Sequence, residues 1–232
     1  RDEVIRRALE GDTWVINVGT QIDTSRSAVE IANKYKEGVY AIVGLHPIHT
    51  GASYHDKQEL GAEGSEFTSR GEVFNKDEYR KLARLGRVVG IGECGLDYYR
   101  CTPESISKQK LAFLEQIQLA NEFNKPLMLH IRNGSTSSPQ VTLNAYQDAL
   151  EILKEYSKVK GNVHFFAGSL KEAKAFLDFD FTLSFTGVIT FTHDYDEIIR
   201  NTPLHMIMSE TDSPYVTPVP HRGKRNEPSY VK

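Results

Sequence analysis

Seven short apolar runs recur along the chain with longer amphipathic stretches between them, and few folds accommodate that rhythm. The runs are WVINVG (14–19), VYAIVGL (39–45), VVGIG (88–92), PLMLHI (126–131), NVHFF (162–166), FTLSF (181–185) and HMIMS (205–209). Continuous apolarity over about five residues suits strands covered on both faces, as in a parallel sheet. The segments between them keep a helical period. RDEVIRRALE opens the chain, SRSAVEIANKYK follows the candidate cap Thr24, and SISKQKLAFLEQIQLANEF follows Pro103. VTLNAYQDALEILKEY and LKEAKAFLDF continue the pattern. Strands alternating with helices imply right-handed βαβ units.

An eight-stranded barrel of βα units starts with a strand and ends with a helix. Here a helix comes first and PSYVK comes last. The expectation is therefore an α/β fold, a (β/α)₈ TIM barrel formed as a single domain over residues 1–232, lacking its first strand and its last helix. An open doubly wound sheet is the alternative. The polar, glycine-rich stretch 49–74 is too long for a plain connection and is expected to form a lid or to be mobile. RNGSTSSPQ (132–140) is a second small-residue loop.

With a formal net charge of -3, bulk electrostatics do not favour nucleic acid, so any phosphate-binding surface must be local. Two cysteines, Cys94 and Cys101, point to a reducing, cytoplasmic setting rather than a disulfide framework. No apolar stretch reaches the ~18 residues a membrane helix needs, and no signal peptide opens the chain, so no membrane partner is expected.

Active-site residues of such barrels sit where strands end. Those ends read His46 in GLHP, Glu93 in GEC, His130 in LHIR, His164 in VHFF and Asp212 in SETD. Two carboxylates, Glu93 and Asp212, and two histidines, His130 and His164, at equivalent ends of different strands would converge on one rim. Their nitrogen and oxygen donors suit Zn²⁺, Mn²⁺ or Mg²⁺, and no thiolate is needed. A divalent cation would also explain an ionised Glu93 at the end of a buried strand. Each residue has a duller reading: a hydrogen-bonded histidine, a Glu93 paired with Arg132, a Cys94 that only fills space. Arg222, Lys224 and Arg225 follow the Asp212 strand and would give that rim a locally basic edge suited to phosphate oxygens.

The motifs GLHP, IGECGLDYY, LHIR, HFFAGS, ETDSPYV and RGKRNEP, in this order, resemble those of the TatD family of metal-dependent deoxyribonucleases, within the amidohydrolase-like barrels. The resemblance runs from about residue 14 to the end of the chain. It implies a (β/α)₈ fold, one or two divalent ions (Mg²⁺, Mn²⁺ or Zn²⁺) and hydrolysis of DNA phosphodiester bonds, typically as an exonuclease. Single-stranded or frayed ends are then the expected substrate, with no obligate protein partner. By the same resemblance Glu93, His130, His164 and Asp212 are metal ligands, with Glu93 able to bridge two ions. Asp212 orients or deprotonates the attacking water, and His46 faces the scissile phosphate. Arg222 and Arg225 hold the nucleic-acid backbone, while Glu210, Asp97 and Tyr98 have supporting roles. The sequence departs from the family in having no His-x-His pair in a first strand and in carrying Phe165 where cysteine is common. Two other readings stay open: a hydrolase of a small cyclic amide, ester or phosphoester on the same barrel, and a catalytically silent scaffold.

Overall fold

Each of the seven apolar runs forms a strand, and all seven join one parallel sheet. The computed structural model describes residues 1–55, 67–134 and 143–232. In chain order the strands are β1 (Val15–Val18), β2 (Val39–Val43), β3 (Ser53–His55), β4 (Phe67–Ser69), β5 (Val88–Asp97), β6 (Leu127–Arg132), β7 (Gly161–Val163), β8 (Thr182–Phe185) and β9 (Ile207–Ser209). The helices are α1 (Asp2–Glu10), α2 (Ile22–Asn33), α3 (Lys76–Ala83), α4 (Pro103–Phe123), α5 (Ala145–Tyr156), α6 (Leu170–Leu177) and α7 (Asp196–Asn201). The main sheet runs β1-β2-β5-β6-β7-β8-β9, so spatial order follows chain order throughout. A doubly wound sheet reverses direction at a switch point, and this one does not. The winding is that of a (β/α)₈ barrel, with β1 and β9 each bonded to a single neighbour.

Alternation along the strands separates core from site. On β6, Leu127, Leu129 and Ile131 are buried and join the main core, whereas Met128, His130 and Arg132 on the other face are partly or fully accessible. Helix α4 covers β5 with Phe113, Ile117, Leu119 and Ala120. It starts at Pro103 itself, with Thr102 as N-cap and Ser105 closing a capping box. Helix α2 starts a turn earlier than the sequence indicates. Gln21 is its cap, and the Thr24 hydroxyl instead accepts hydrogen bonds from the Thr20 and Gln21 N–H groups.

Two differences from the sequence reading matter for the site. The stretch around 49–74 holds a short antiparallel pair, β3 with β4, where only a lid or mobile loop is expected. Residues 56–66 of that stretch, and 135–142 of the second loop, lie outside the described residues. The strand expected to end at Gly92 continues to Asp97, which puts Glu93 inside it. Its register against β6 shifts between Ile91 and Cys94: Ile91 faces Leu127 and Cys94 faces Leu129, three residues of advance against two. The extra residue lets Glu93, Gly95 and Asp97 share the face that carries His130, and bulges commonly re-aim side chains in this way. Among the described residues no helix is long and apolar enough to cross a membrane.

Gly95 stands opposite His130 with φ +134, and a Cβ there would run into the His130 carbonyl oxygen. A Gly95→Ala variant should therefore lose about 3 kcal/mol of stability through backbone strain and the displaced neighbour. Urea denaturation followed by circular dichroism measures this, and an unchanged midpoint would refute it.

Candidate metal centre

One carboxylate oxygen organises the C-terminal end of the sheet. Glu93 Oε1 lies 3.1 Å from His130 Nδ1, 3.4 Å from His46 Nε2 and 3.6 Å from His164 Nε2. The three histidines come from three different strand ends. His46 follows β2 and caps the 3₁₀ turn Pro47–Thr50, His130 lies in β6, and His164 comes directly after β7. Because His130 faces a glycine in the ladder, its ring spans the gap that Gly95 leaves and reaches Glu93 on one side and Asp97 on the other. Asp212 lies in the turn after β9, at φ +52, and its Oδ1 is 3.8 Å from His164 Nε2.

The second nitrogen of each imidazole is held as well. His130 Nε2 donates to Asp97 Oδ2 at 2.8 Å, and His164 Nδ1 donates to Glu210 Oε2 at 2.6 Å. His46 Nδ1 accepts from the Ile48 N–H at 3.2 Å, which leaves its Nε2 to carry the proton towards Glu93. Asp97 and Glu210 are anchored in turn. Asp97 accepts from the Tyr99 N–H, and Glu210 from the Phe165 N–H and the Ser184 hydroxyl. Carboxylates that fix the far nitrogen of a histidine set both the tautomer and the ring plane of a metal ligand.

The charges are strongly coupled. Burial alone would raise the Glu93 carboxyl, but His46, His164 and His130 outweigh it and hold the group well below the usual range. Burial lowers His46, helped by the positive His130 beside it. Burial also opposes protonation of His130, yet Asp97 and Glu93 push it up to about 10. His164 is raised to about 9 by Glu93, Glu210 and Asp212 against the same penalty. Asp212 is raised to about 6, by burial and by the nearby Glu93 and Glu210.

The donor set fits a divalent cation. Ligand atoms of His46, Glu93 and His130 all lie within 4.8 Å of one another, and they are nitrogen and oxygen donors with no sulfur. His164 Nε2 also lies 3.6 Å from the Glu93 oxygen and 3.8 Å from Asp212 Oδ1, which joins Asp212 to the same group. Cys94 takes no part: it is fully buried and its sulfur faces the backbone carbonyls of Ile91 and Met128. The suggested pairing of Glu93 with Arg132 is absent, and Arg132 lies over the Tyr99 ring instead.

Arg222 and Arg225 are exposed on the C-terminal segment. Arg222 donates to the Thr217 carbonyl and stacks 3.8 Å from the centre of the Phe191 ring. Directly after them comes a residue that the charge pattern hides. Buried Asn226 donates through Nδ2 to the Thr211 and Tyr215 carbonyls at 2.8 and 2.6 Å, which ties the basic segment to the Asp212 turn. Two glutamines on α4 were likewise not legible as site residues. Gln109 exchanges two hydrogen bonds with the Asp97 backbone, and Gln116 two with the backbone of Leu45, next to His46. Their signal is a spacing of seven that places two amides on one buried helix face.

Comparison with known proteins gives this arrangement a context. The family described as TatD related DNase matches residues 1–232. The chain is 37% identical over 168 residues to a protein of Escherichia coli K12 named "Uncharacterized metal-dependent hydrolase YcfH"; the match covers 71% of this chain and spans 59% of that protein's length. It is 35% identical to "Uncharacterized metal-dependent hydrolase YabD" of Bacillus subtilis, over 100% of this chain and 80% of that protein. The crystal structure of YJJV, a TatD homolog from Escherichia coli, has the same fold, with a TM-score of 0.74 and 22% identity over 99% of this chain and 79% of its own.

Replacing Gln116 by Leu leaves the buried Leu45 N–H and carbonyl without partners, at a cost of about 1–3 kcal/mol for each such group. The variant should unfold at distinctly lower urea concentration than the wild type while keeping its helical circular dichroism. An unaltered transition would show that the clamp contributes nothing.

Proposed function

The chain belongs to the TatD related DNase family, and from that premise we propose that it is a divalent-metal-dependent hydrolase of DNA phosphodiester bonds, acting as an exonuclease on single-stranded or frayed ends. The observation that carries this reading is the convergence of three imidazole nitrogens on one Glu93 oxygen, with every imidazole fixed at its other nitrogen. A hydrogen-bonded core histidine has no need of such a double anchor, whereas a metal ligand does.

In this reading Glu93, His46, His130, His164 and Asp212 would hold one or two ions of Mg²⁺, Mn²⁺ or Zn²⁺. His46 is placed among the donors as well as against the scissile phosphate, because its Nε2 is aimed at the Glu93 oxygen. A divalent cation held there would polarise the phosphoryl oxygen and lower the pKa of water to about 7. Asp212 would receive the proton of the attacking water as its oxygen bonds to phosphorus, the bond to the leaving 3′- or 5′-oxygen breaks and that oxygen takes up a proton; the Asp212 side chain is 32% accessible against 13% for Glu93, so solvent reaches it more readily. Asp97 and Glu210 keep His130 and His164 in fixed orientation through the reaction. Arg222 and Arg225 hold the nucleic-acid backbone, and the Phe191 ring presents the Arg222 guanidinium to it. A local basic edge on a chain of net charge -3 concentrates phosphate there without promoting indiscriminate binding.

The test is degradation of a labelled single-stranded DNA oligonucleotide by the purified protein with Mg²⁺, with Mn²⁺ and with EDTA. Progressive shortening in the presence of metal, abolished by EDTA and by Glu93→Ala, is the expected outcome. A folded protein that leaves the oligonucleotide intact with every metal would overturn the nuclease reading. Asp212→Asn should lower the rate by about 10²–10⁴-fold if the carboxylate takes the proton. Undiminished turnover in that variant would remove Asp212 from the role.

A further inference from the structure

The basic residues assigned above lie on the C-terminal segment, but another arginine shares a strand with His130. Arg132 is the last residue of β6, two beyond His130, and so projects from the same face of the sheet. Two residues advance a strand by about 6.6 Å, which sets Arg132 roughly that far beyond His130 towards the rim. It is exposed, and no carboxylate among the described residues pairs with it. This is unexpected beside Glu93 and Asp97, but both of those are taken up by histidines.

The guanidinium is instead held on an aromatic face, with its carbon 3.9 Å from the centre of the Tyr99 ring. Tyr99 belongs to the frame of the site. Its N–H donates to Asp97 Oδ1 at 2.8 Å, and the N–H of Tyr98 donates to the Arg132 carbonyl at 2.8 Å. A second guanidinium, that of Arg100, lies 4.9 Å from the centre of the same ring. Stacking restrains an arginine while leaving its edge N–H groups open, and that planar fork matches two oxygens of a phosphate.

We propose that Arg132, braced on Tyr99, binds the phosphate next to the one being cut and so sets the affinity for chains with more than one phosphodiester. The proposal rests on the nuclease reading and deepens it. A phosphate at the cation lies against His130 and Glu93, and Arg132 is displaced from there along the strand towards solvent. Its fork is therefore placed for the following phosphate of a strand crossing the rim. Glu93 and Asp97 do not neutralise it, so its charge is available to that phosphate.

The experiment compares wild type, Arg132→Gln, Arg132→Lys and Tyr99→Leu on two substrates with Mg²⁺ or Mn²⁺. One is a single-stranded DNA oligonucleotide. The other is a dinucleoside monophosphate, which has one phosphodiester and no neighbour. Arg132→Gln should raise KM for the oligonucleotide about tenfold, as expected for loss of one charge-assisted contact, with kcat little changed. Its kinetics on the dinucleotide should match wild type. Arg132→Lys and Tyr99→Leu should lie between, because one keeps the charge without the fork and the other keeps the fork without its platform. In EDTA, the salt dependence of oligonucleotide binding should weaken by about 0.7 in log–log slope for Arg132→Gln, the amount for one phosphate of a single strand. Equal losses on both substrates, or no loss on either, would overturn the proposal. A wild type that cuts neither substrate but binds the oligonucleotide through Arg132 would overturn the nuclease reading and leave the phosphate contact standing. A wild type that neither binds nor cuts would overturn both.

Discussion

A carboxylate almost shut off from water is the constraint around which the rest of this molecule is arranged. An ion of that size costs several kcal/mol to bury even after relaxation, and the cost is recovered only with well-placed partners that donate to it or carry the opposite charge. Glu93 meets it with three imidazole nitrogens within 3.6 Å of one oxygen, taken from the ends of β2, β6 and β7. No single βα unit could supply them, so a parallel sheet wound in chain order is what brings these partners together. The irregularity in β5 is part of the same solution. The extra residue between Ile91 and Cys94 turns Glu93 onto the face of His130, and Gly95 then leaves the ring room to reach Asp97.

Around that centre lies a second ring of interactions that positions it without belonging to it. Asp97 and Glu210 hold two imidazoles by their outer nitrogens, and the Ile48 N–H holds the third. Gln109 and Gln116 fasten the backbone next to Asp97 and His46, and Asn226 fastens the Asp212 turn. Among the described residues no buried side-chain nitrogen or oxygen lacks a partner. Complete satisfaction of this kind makes a polar network rigid, because any displaced member leaves a buried group unpaired. Such rigidity suits a site whose chemistry depends on donors held at fixed spacing.

Much of this was legible in the chain. The seven apolar runs marked the seven parallel strands, although the covering on both faces expected from them is incomplete: Ile16 of β1 and Met208 of β9 are exposed. Ionisable residues stand at the ends of these runs, where such a side chain has no packing role. His46, Glu93, His130, His164 and Asp212 do gather on one end of the sheet. Three features were not legible. The β5 strand looked finished at Gly92 because Gly and Glu interrupt its apolar pattern, yet pairing with β6 carries it on to Asp97. The short β3–β4 pair has no apolar alternation to announce it. The clamping roles of Gln109, Gln116 and Asn226 were not legible either, because even a spacing of seven on one helix face does not say which buried backbone an amide will meet.

By itself, then, the sequence determined the winding of the sheet and which ionisable residues end its strands, because burial patterns and strand periodicity are written locally along the chain. Only the tertiary structure decided which nitrogen of each histidine faces Glu93, that Arg132 stacks on Tyr99 rather than pairing with a carboxylate, and that amides on α4 fasten the strand ends. Those choices depend on register, on a single extra residue in β5 and on contacts between residues far apart in sequence. Such contacts are resolved only when all the strands compete for the same space.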